Sequence, residues 1–454
     1  MNESLVALAT AAPQYGEAEM ARAVAELFRC WGLDPDRQGT AEWNPLAELI
    51  PAGARVVIKP NWVLHENELP GGGMDCLITH RTLIAAVLTY VLRASPSRVV
   101  IGDAPLQGCD FAKLRAQAGI DTLIEQGQGV VQIADFRRTL LQRDGHSSRR
   151  QEGVRGEENF VLFDLGADSL IESLPTDSGS LRVTMYNPDL LTRVHAPGRH
   201  CYLIAREIID TDVVINMPKL KSHMKAGVTG ALKNLIGING NKEFLPHHRK
   251  GGSAKGGDCY SGYSFWQNCA ENLYDAANRS SGGPGQTALY WAAHQSLRAA
   301  RLFGSEGMVE GAWHGNQTVW RTCLDLNRVL RYGCLDGSLA DTPQRRTIHI
   351  TDAIIGGQGE GPLRPDPAPS GFLTGALNPV AAEWVNTLAM GWDPQRLPIV
   401  REAFSAFRWP LTNFQAADIQ VATASGVRPA AGIVPPNGQH FQASKGWRGH
   451  VEAK

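Results

Sequence analysis

Two short runs of β-branched residues on either side of a helix-like segment constrain the fold more than any other feature of the sequence. Residues 55–59 (RVVIK) and 98–102 (RVVIG) have the composition of buried strands, and residues 81–94 between them have the apolar spacing of a helix. A strand, a helix and a second strand in this order are the unit from which parallel sheets are built. The sequence therefore predicts an α/β fold.

The same alternation extends along most of the chain. Further strands are predicted at residues 129–133, 160–164, 212–216, 346–355, 371–377 and 418–423, and further helices at 16–33, 264–278, 286–303, 317–332 and 379–390. Gly- and Ser-rich runs interrupt the pattern between residues 249 and 318. We expect one or more mostly parallel sheets flanked by helices. An α/β lobe over residues 1–250 and a loop-rich helical insertion over 251–345 would precede a C-terminal α/β segment, 346–454, that completes the fold and the site.

Charge and composition exclude several classes of protein. Lys plus Arg number 44 and Asp plus Glu 45, so there is no basic excess to hold a nucleic acid. No apolar stretch reaches the ~18 residues that cross a bilayer, and the N-terminus lacks a basic segment followed by an apolar one. A cytoplasmic protein without a membrane partner is therefore expected. The eight cysteines form no C-x-x-C pair, which predicts that no iron–sulfur cluster is bound.

Polar residues follow the first predicted strand at the position where α/β proteins bind ligands. Lys59 and Asn61 lie at its carboxyl end, and ligands of open α/β sheets gather beyond such ends. An ammonium group and an amide there suit a carboxylate or a phosphate. The alternative is a surface lysine beside a turn asparagine.

The segment from Asn216 to Gly237 is the richest in chemistry. It follows a predicted strand and carries residues that we assign to substrate binding: Lys219, Lys221, His223, Thr229, Lys233 and Asn234. Glycines in the segment would let backbone N–H groups approach an anion closely. Because segments that follow parallel strands converge at one sheet edge, we expect Lys219, Lys221 and Lys233 to share a pocket with Lys59. The alternative is a solvated basic loop.

Adjacent histidines beside an arginine form a second group of candidates. His247 and His248 have the chemistry to bind a metal ion or to move protons, and Arg249 could hold a carboxylate or phosphate through paired hydrogen bonds. Asp352 and Glu360 would supply nearby carboxylates. We assign these two histidines and two acids to catalysis, and His247, His248 and Asp352 also to a divalent metal ion. The alternative is an exposed loop without a function.

Two further candidates have plain structural alternatives. Arg321 is assigned to substrate binding, although its spacing to Asp325 also fits an ion pair on one helix face. Gln358 lies in the Gly-rich turn GGQGEGP and is predicted to be a hydrogen-bonding contact to the substrate. A solvated turn residue is the alternative for Gln358.

Taken together, these segments resemble the uncharacterised family DUF362. The resemblance spans roughly residues 50–415 and is carried by VVIKPNW (56–62), VVIGDAP (99–105), the block 212–249, WHGNQTVWRTCLDLNRVL (313–330) and TDAIIGGQGEGPL (351–363). Many members carry an attached iron–sulfur segment, whose cysteines this chain lacks. The family has acidic residues where Gln317 and Gln358 stand here, and Asp more often than Glu383. The resemblance implies a fold and a site, but no established reaction.

These observations favour a metal-assisted enzyme that acts on a small substrate bearing a carboxylate or a phosphate. Lyase or isomerase chemistry is expected, with specialised biosynthesis as one setting. A non-catalytic anion-binding or scaffold protein is the alternative, because the two amides remove possible bases. A phosphotransfer enzyme is a further alternative that no Walker motif supports. The expected partner is the small anionic substrate, and a homodimer is left open.

Overall fold

The computed structural model describes residues 2–144, 147–153, 155–174, 179–280 and 282–453. Its strands are β1 (Leu5–Thr10), β2 (Arg55–Pro60), β3 (Arg98–Asp103), β4 (Val131–Asp135), β5 (Thr139–Asp144), β6 (Ser147–Glu152), β7 (Phe160–Asp164), β8 (Leu181–Arg182), β9 (His195–Ala196), β10 (Arg199–Ala205), β11 (Val213–Met217), β12 (Lys219–His223), β13 (Gly227–Thr229), β14 (His248–Arg249), β15 (Arg346–Glu360), β16 (Arg364–Ala368), β17 (Phe372–Ala376), β18 (Gln420–Thr423) and β19 (Gly426–Pro429). Its α-helices are α1 (Glu17–Trp31), α2 (Arg81–Arg93), α3 (Phe111–Ala118), α4 (Thr122–Gln126), α5 (Pro188–Val194), α6 (Arg206–Ile209), α7 (Phe265–Arg279), α8 (Pro284–Leu302), α9 (Val319–Tyr332), α10 (Pro379–Ala389) and α11 (Pro398–Arg401).

One large sheet organises the described part of the chain. Its central strands lie in the order β4-β3-β2-β11-β15 and are all parallel. The antiparallel β17 follows β15, and then come β1, β18 and β19. The chain proceeds from β2 outwards to β3 and β4, whereas β11 and β15 lie on the other side of β2. The sheet therefore has its topological switch point between β2 and β11, where open α/β sheets bind ligands.

The two faces of the sheet are covered by different helices. Val57 and Val214 belong to an apolar core that includes residues of α9 and α10. Their neighbours Val56 and Ile215 belong to a second core that includes residues of α1 and α2. This separation follows from the period of two along a strand, which turns successive side chains to opposite faces. Any polar side chain on a central strand can therefore be assigned to one face.

Local sequence explains where the covering helices begin and end. α1 ends at Gly32, whose φ of 72° is left-handed and whose N–H reaches back to the carbonyl of Arg29. α2 begins after His80, whose Nδ1 accepts the N–H of Thr82. The predicted helices 16–33 and 81–94 agree with these bounds to within two residues.

The long segment between the two halves of the sheet contains a helical hairpin. α7 and α8 pack against each other, with Ala270 and Leu297 in a small core of their own. α9 then returns to the main core, where Leu324 and Val329 are fully buried. Among the described residues, no helix has both the length and the apolar character needed to cross a bilayer.

The predicted fold class is confirmed: the protein is an α/β protein with a mostly parallel central region flanked by helices. Several strands were not predicted, β1 and β12 among them. β1 is a short apolar run near the start of the chain, and β12 lies in the lysine-rich segment that was expected to be a loop after a strand. The division into parts at residues 250 and 345 stays a prediction, and the sheet draws strands from both the first and the third part.

Candidate functional site

A row of polar side chains crosses four neighbouring parallel strands, at the carboxyl ends of β2, β3 and β11. His349 of β15, Asn216 of β11 and Lys59 of β2 are direct register partners, and Asp103 ends β3. The Asn216 amide contacts His349 Nδ1 at 3.1 Å, and Lys59 Nζ donates to Asp103 Oδ1 at 2.6 Å. The row therefore crosses the switch point between β2 and β11.

Asn234 ties this row together from the turn that follows β13. Its Nδ2 donates to Asn216 Oδ1 at 2.7 Å, and its Oδ1 accepts from Lys59 Nζ at 3.2 Å and from Asn61 Nδ2 at 3.0 Å. Three of the residues assigned to substrate binding, Lys59, Asn61 and Asn234, are thus brought together. Their polar atoms mostly form hydrogen bonds within this group. Of these three side chains, only Asn61 has a buried atom without a partner, its Oδ1.

The Lys59–Asp103 pair lies entirely inside the protein. Burial lowers the pKa of Lys59 and raises the pKa of Asp103, and each charge opposes the shift of the other. The N–H of Trp62 also donates to Asp103, at 2.6 Å. Gly237 packs so closely that a Cβ there would lie 1.9 Å from Asp103 Oδ1. A buried pair held this tightly fixes geometry more than it adds stability.

Lys219 forms a second buried ion pair, with Asp352. Its Nζ lies 2.7 Å from Asp352 Oδ2 and also donates to the hydroxyl of Tyr15, which in turn donates to Asp352 Oδ1 at 2.6 Å. The ring of His80 stacks on the ring of Tyr15 with 4.0 Å between centroids. The backbone N–H of His80 donates a hydrogen bond to the Asp352 carboxylate. Burial and the carboxylate of Asp352 raise the pKa of Tyr15.

The two ion pairs lie on opposite faces of the sheet, which corrects the expectation of one shared pocket. On β15, Ile350 and Ile354 belong to the core beneath α1 and α2, so Asp352 between them faces the same way. Lys59 lies two residues after Val57 on β2, so the two side chains share a face and point towards the other core. The chain bends after β11, and this bend places the Lys219 side chain on the face of the sheet opposite to Lys59.

Four lysines and two histidines form what we name the lysine cluster: Lys221, Lys225, Lys233, Lys242, His223 and His247. Burial, together with the charges of Lys233 and Lys225, lowers the pKa of Lys242 to about 7. The pKa of Lys221 is lowered to about 7 by burial and then by Lys219. Burial also lowers the pKa of Lys233, and Lys225 adds to this effect.

Most of these lysines have no carboxylate partner among the described residues. Lys225 reaches Glu310 at 3.6 Å and the Thr184 hydroxyl at 3.2 Å. Lys221 donates only to the backbone carbonyl of Leu77. Lys233 and Lys242 make neither a hydrogen bond nor an ion pair with any residue in the described ranges, and the groups around them that affect their pKa are chiefly other lysines and Cys323.

The two histidines of the cluster are neutral at pH 7, and their hydrogen bonds fix opposite tautomers. His223 Nδ1 accepts the backbone N–H groups of Lys225 and Ala226 at 3.0 and 3.2 Å, so its proton is on Nε2. His247 Nδ1 lies 2.6 Å from the carbonyl of Leu245 and must donate to it, which leaves Nε2 as an acceptor. Burial, and then the surrounding lysines, hold the pKa of both rings well below the usual range.

His248 and Arg249 have polar atoms that are buried without partners. His248 Nδ1 has none, and Arg249 Nε and Nη1 lack an acceptor at hydrogen-bond distance. The nearest carboxylate, Asp258, lies 3.7 Å from Arg249 Nε and already accepts from the Thr318 hydroxyl at 2.6 Å. Unpartnered buried donors cost about 1–3 kcal/mol each, so an acceptor from outside the chain would be favourable here.

Thr229 and Glu383 add further unpartnered oxygens nearby. Thr229 pairs with Lys221 across β12 and β13, and its hydroxyl has no partner. Glu383 accepts the N–H of Leu232 at 2.7 Å with one oxygen, while the other has no partner. Burial raises the pKa of Glu383 to about 8, so this side chain is mainly a neutral acid at pH 7.

Arg321, Gln358 and Glu360 are engaged elsewhere. Arg321 stacks on Trp320 at 4.1 Å and donates to the carbonyl of Gln317. Gln358 contacts the carbonyl of Pro367 at 3.3 Å and the N–H of Gln442 at 3.0 Å. Glu360 accepts the N–H of Lys445 at 2.8 Å. Each of these side chains therefore forms a hydrogen bond with a backbone group of the protein.

The described ranges contain no group of three His, Cys, Asp or Glu side chains that could hold a metal ion. His247, His248 and Asp352 therefore do not form such a group by themselves. Asp352 is bound to Lys219, and only His248 of the two histidines lies in β14, where its Nδ1 has no partner. The divalent metal stays a prediction.

Sequence reasoning left several residues out of the assigned site. Lys225 and Lys242 belong to the lysine cluster, Asn216 and His349 to the polar row, and Tyr15 to the second ion pair. The first three lie within the block 212–249 that carries the family resemblance, which was the available signal. Tyr15 and His349 had no such signal, because their partners are more than 130 residues away.

Comparisons with known proteins place the chain in a family but assign no activity. The model of a family described as "Domain of unknown function (DUF362)" matches residues 158–387, just over half of the chain. No curated protein matches the sequence. A crystal structure from Thermotoga maritima is 11% identical with a TM-score of 0.34, and the matched region covers 84% of this chain and 60% of that one. The lactate racemase apoprotein from Thermoanaerobacterium thermosaccharolyticum is 16% identical with a TM-score of 0.26, over 64% of this chain and 48% of that one.

Proposed function

The chain belongs to the DUF362 family, and from its lysine cluster we propose that it is an enzyme that binds a small carboxylate- or phosphate-bearing substrate there and transfers a proton, as a lyase or isomerase does. Lys225 and Lys233 would hold the anion. Lys242 would act as the base, and His223 would donate from Nε2. The neutral imidazole of His247 offers Nε2 as a second acceptor.

The observation that carries this proposal is the absence of partners for Lys233 and Lys242 among the described residues. Lys233 is buried and Lys242 is half-buried, and withdrawing a charge from water without a partner is unfavourable, so such lysines either lose their proton or gain an anion. The pKa of Lys242 near 7 means that both states are accessible at physiological pH. A bound carboxylate or phosphate would supply the missing charge.

The same groups suit proton transfer. A general base is most effective when its pKa lies near the working pH, and an amine brought to about 7 by burial meets that condition. Removal of a proton beside a carboxylate also requires charge stabilisation of the resulting enolate, which lysines at the anion provide. A divalent metal would add to this stabilisation, and elemental analysis of the purified protein tests for it.

A non-catalytic anion-binding protein is the second candidate. It is favoured by Gln317 and Gln358, which stand where relatives have acids and cannot act as bases. The backbone contact of Gln358 to Gln442 also fits a structural role. Binding and exchange measurements separate the two candidates.

The test combines anion binding with hydrogen exchange. Calorimetric titration with inorganic phosphate and with small carboxylates should give binding that Lys233→Met weakens by at least about tenfold. Lys242→Met should abolish deuterium exchange from D₂O into a bound carboxylic acid, followed by NMR. Lys113→Met, at an exposed lysine paired with Glu66, is the matched control.

The outcomes are distinct. Unchanged phosphate and carboxylate affinity in Lys233→Met would overturn the assignment of the cluster. Anion binding that depends on Lys233, without exchange into any carboxylic acid tried, would favour the non-catalytic candidate.

A further inference from the structure

A second concave region lies away from the lysine cluster, at one end of the α7–α8 hairpin. Phe265 and Trp266 begin α7, and Phe303 follows α8, so the antiparallel packing of the hairpin brings them to the same end. With residues of the 259–267, 303–308, 312–314 and 445–450 segments they line an open cavity of about 700 Å³. We name it the aromatic cavity.

The aromatic rings in this cavity are unusually exposed. Tyr263, Phe265 and Phe303 expose 51%, 58% and 76% of their surface. The planes of Trp266 and Phe303 lie within 12° of parallel, with 6.3 Å between centroids. Exposed apolar surface is unfavourable in water, and its concentration in a concave region is typical of a binding site. A volume of this size lies in the range of small-ligand sites.

The charged groups of the cavity are mainly cationic. Lys445 and Arg448 come from the C-terminal segment, and Glu306 is the carboxylate among the described lining residues. Glu306 lies 3.7 Å from Lys445, but both are largely exposed, so this pair is weak. Arg448 donates from Nε to the carbonyl of Ala443 at 3.1 Å and forms no ion pair with a described residue.

The cavity and the lysine cluster are separate. Trp313 lines the cavity and donates from Nε1 to the carbonyl of Asp258 at 2.9 Å. The Asp258 carboxylate faces the other way, to the Thr318 hydroxyl and the N–H of Gln317. The segment from Trp313 to Thr318 therefore forms a wall, and a ligand in the cavity would leave the cluster unoccupied.

We propose that the aromatic cavity binds a flat aromatic molecule that carries a carboxylate. Its ring stacks on Trp266 and Phe303, and its carboxylate is held by Arg448 and Lys445. Stacked aromatic pairs contribute beyond the burial of their area, and an arginine binds a carboxylate through two hydrogen bonds. This site is independent of the proposed function.

Calorimetric titration of the full chain with 2-naphthoate tests the proposal. Trp266→Ala should weaken binding by about tenfold or more. Trp291→Ala should change it by less than about twofold, because Trp291 is 65% exposed on α8 but lies outside the cavity. If Trp266→Ala fails to fold, Phe303→Ala at the more exposed ring takes its place. Lys233→Met should bind 2-naphthoate as the unaltered protein does.

Two analogues test the chemistry of the ligand. Uncharged 2-naphthol and non-aromatic cyclohexanecarboxylate should each bind about tenfold more weakly than 2-naphthoate, and Arg448→Gln should remove the preference over 2-naphthol. Equal affinities for all three compounds, equal effects of Trp266→Ala and Trp291→Ala, or no saturable binding would overturn the proposal. A dimer in light scattering that Trp266→Ala dissociates would do so as well, since the rings would then belong to a second copy.

Discussion

The lysines near the carboxyl ends of β2 and β11 have different roles according to what surrounds them. Lys59 and Lys219 are fully buried against Asp103 and Asp352, and their ion pairs hold strand ends in place. Lys233 and Lys242 lack such partners among the described residues. The first two are accordingly structural supports, and the last two are the groups available to a ligand. Hydrogen-bond partners, rather than residue type, make this distinction.

The lowered lysine pKa values predict how stability depends on pH. Lys221 has a pKa of about 7 in the folded chain, against an ordinary value of 10.5. Between these values the unfolded chain binds more protons, so the free energy of unfolding should rise as pH rises from about 7 towards 10.5, and this dependence should vanish below about 7, where both states carry the proton. Lys221→Met should remove part of that slope and stabilise the protein by about 1–3 kcal/mol at pH 7.

Urea unfolding at pH 7, 8 and 9 measures this slope. The exposed Lys113 is the control, and Lys113→Met should leave the dependence unchanged. Parallel curves for Lys221→Met and the unaltered protein would show that Lys221 keeps its proton in the folded state. Phosphate should stabilise the protein more at pH 6 than at pH 9, since an anion favours charged lysines.

At the scale of elements, the turn after β13 is what joins the polar row to the lysine cluster. Lys233 and Asn234 are consecutive, and they contact different partners: Asn234 joins Lys59 and Asn216, while Lys233 belongs to the cluster. Glu383 holds this turn in place, because its carboxyl group accepts the backbone N–H of Leu232. A change in this turn should therefore affect both groups together.

Gly237 offers a test of that coupling. A Cβ at this position would lie 1.9 Å from Asp103 Oδ1 and 2.7 Å from Lys59 Nζ. Gly237→Ala should therefore displace the Lys59–Asp103 pair and destabilise the protein by about 1–3 kcal/mol in urea unfolding. Gly285→Ala in α8, where a Cβ would meet no atom within 4 Å, should be neutral or slightly stabilising. Equal stabilities of the two variants would contradict the close approach at Gly237.

The elements themselves were largely predictable, because their signals are local. The β-branched run at β2 and β3 and the apolar spacing of α1 and α2 identify them without reference to the rest of the chain. β12 was not predicted, because KLKSH has the composition of a solvated loop and becomes a strand only through pairing with β13 and β15. A tertiary contact overrides local preference there.

The sequence indicated many of the residues at the site, but not which of them lie together. Lys219 and Lys59 were expected together, since both follow parallel strands. The face on which each side chain lies depends on register and on a bend at Pro218, and neither is visible in one sequence. An ion pair with Asp325 was the structural alternative to substrate binding by Arg321. In the structure, Asp325 forms its ion pair with Arg328 instead.

At the scale of the whole molecule, the main core joins distant parts of the chain. It includes Val6 of β1 and Val451 near the C-terminus, together with residues of α9 and α10. The α7–α8 hairpin has a small separate core that contains Ala270 and Leu297. We therefore expect the sheet to unfold as one cooperative unit. The α7–α8 hairpin, which has its own small core, is the part most able to unfold independently.

Differential scanning calorimetry tests this expectation. We expect one main transition whose calorimetric and van't Hoff enthalpies agree. Leu297→Ala in the small core should lower the stability of the hairpin by about 2–5 kcal/mol and shift the main transition little. Two well-separated transitions of similar enthalpy would instead indicate domains that divide the sheet.

The position of β1 in the sheet has a consequence for biosynthesis. Leu8 pairs with Thr374, and Val6 pairs with Val421, so β1 is bordered on both sides by strands that are synthesised several hundred residues after it. At about 5–20 residues per second, its edges stay unpaired for tens of seconds. The nascent chain therefore exposes an unpaired apolar strand until β17 and β18 have been made, and its yield in cells should depend on chaperones that bind such strands.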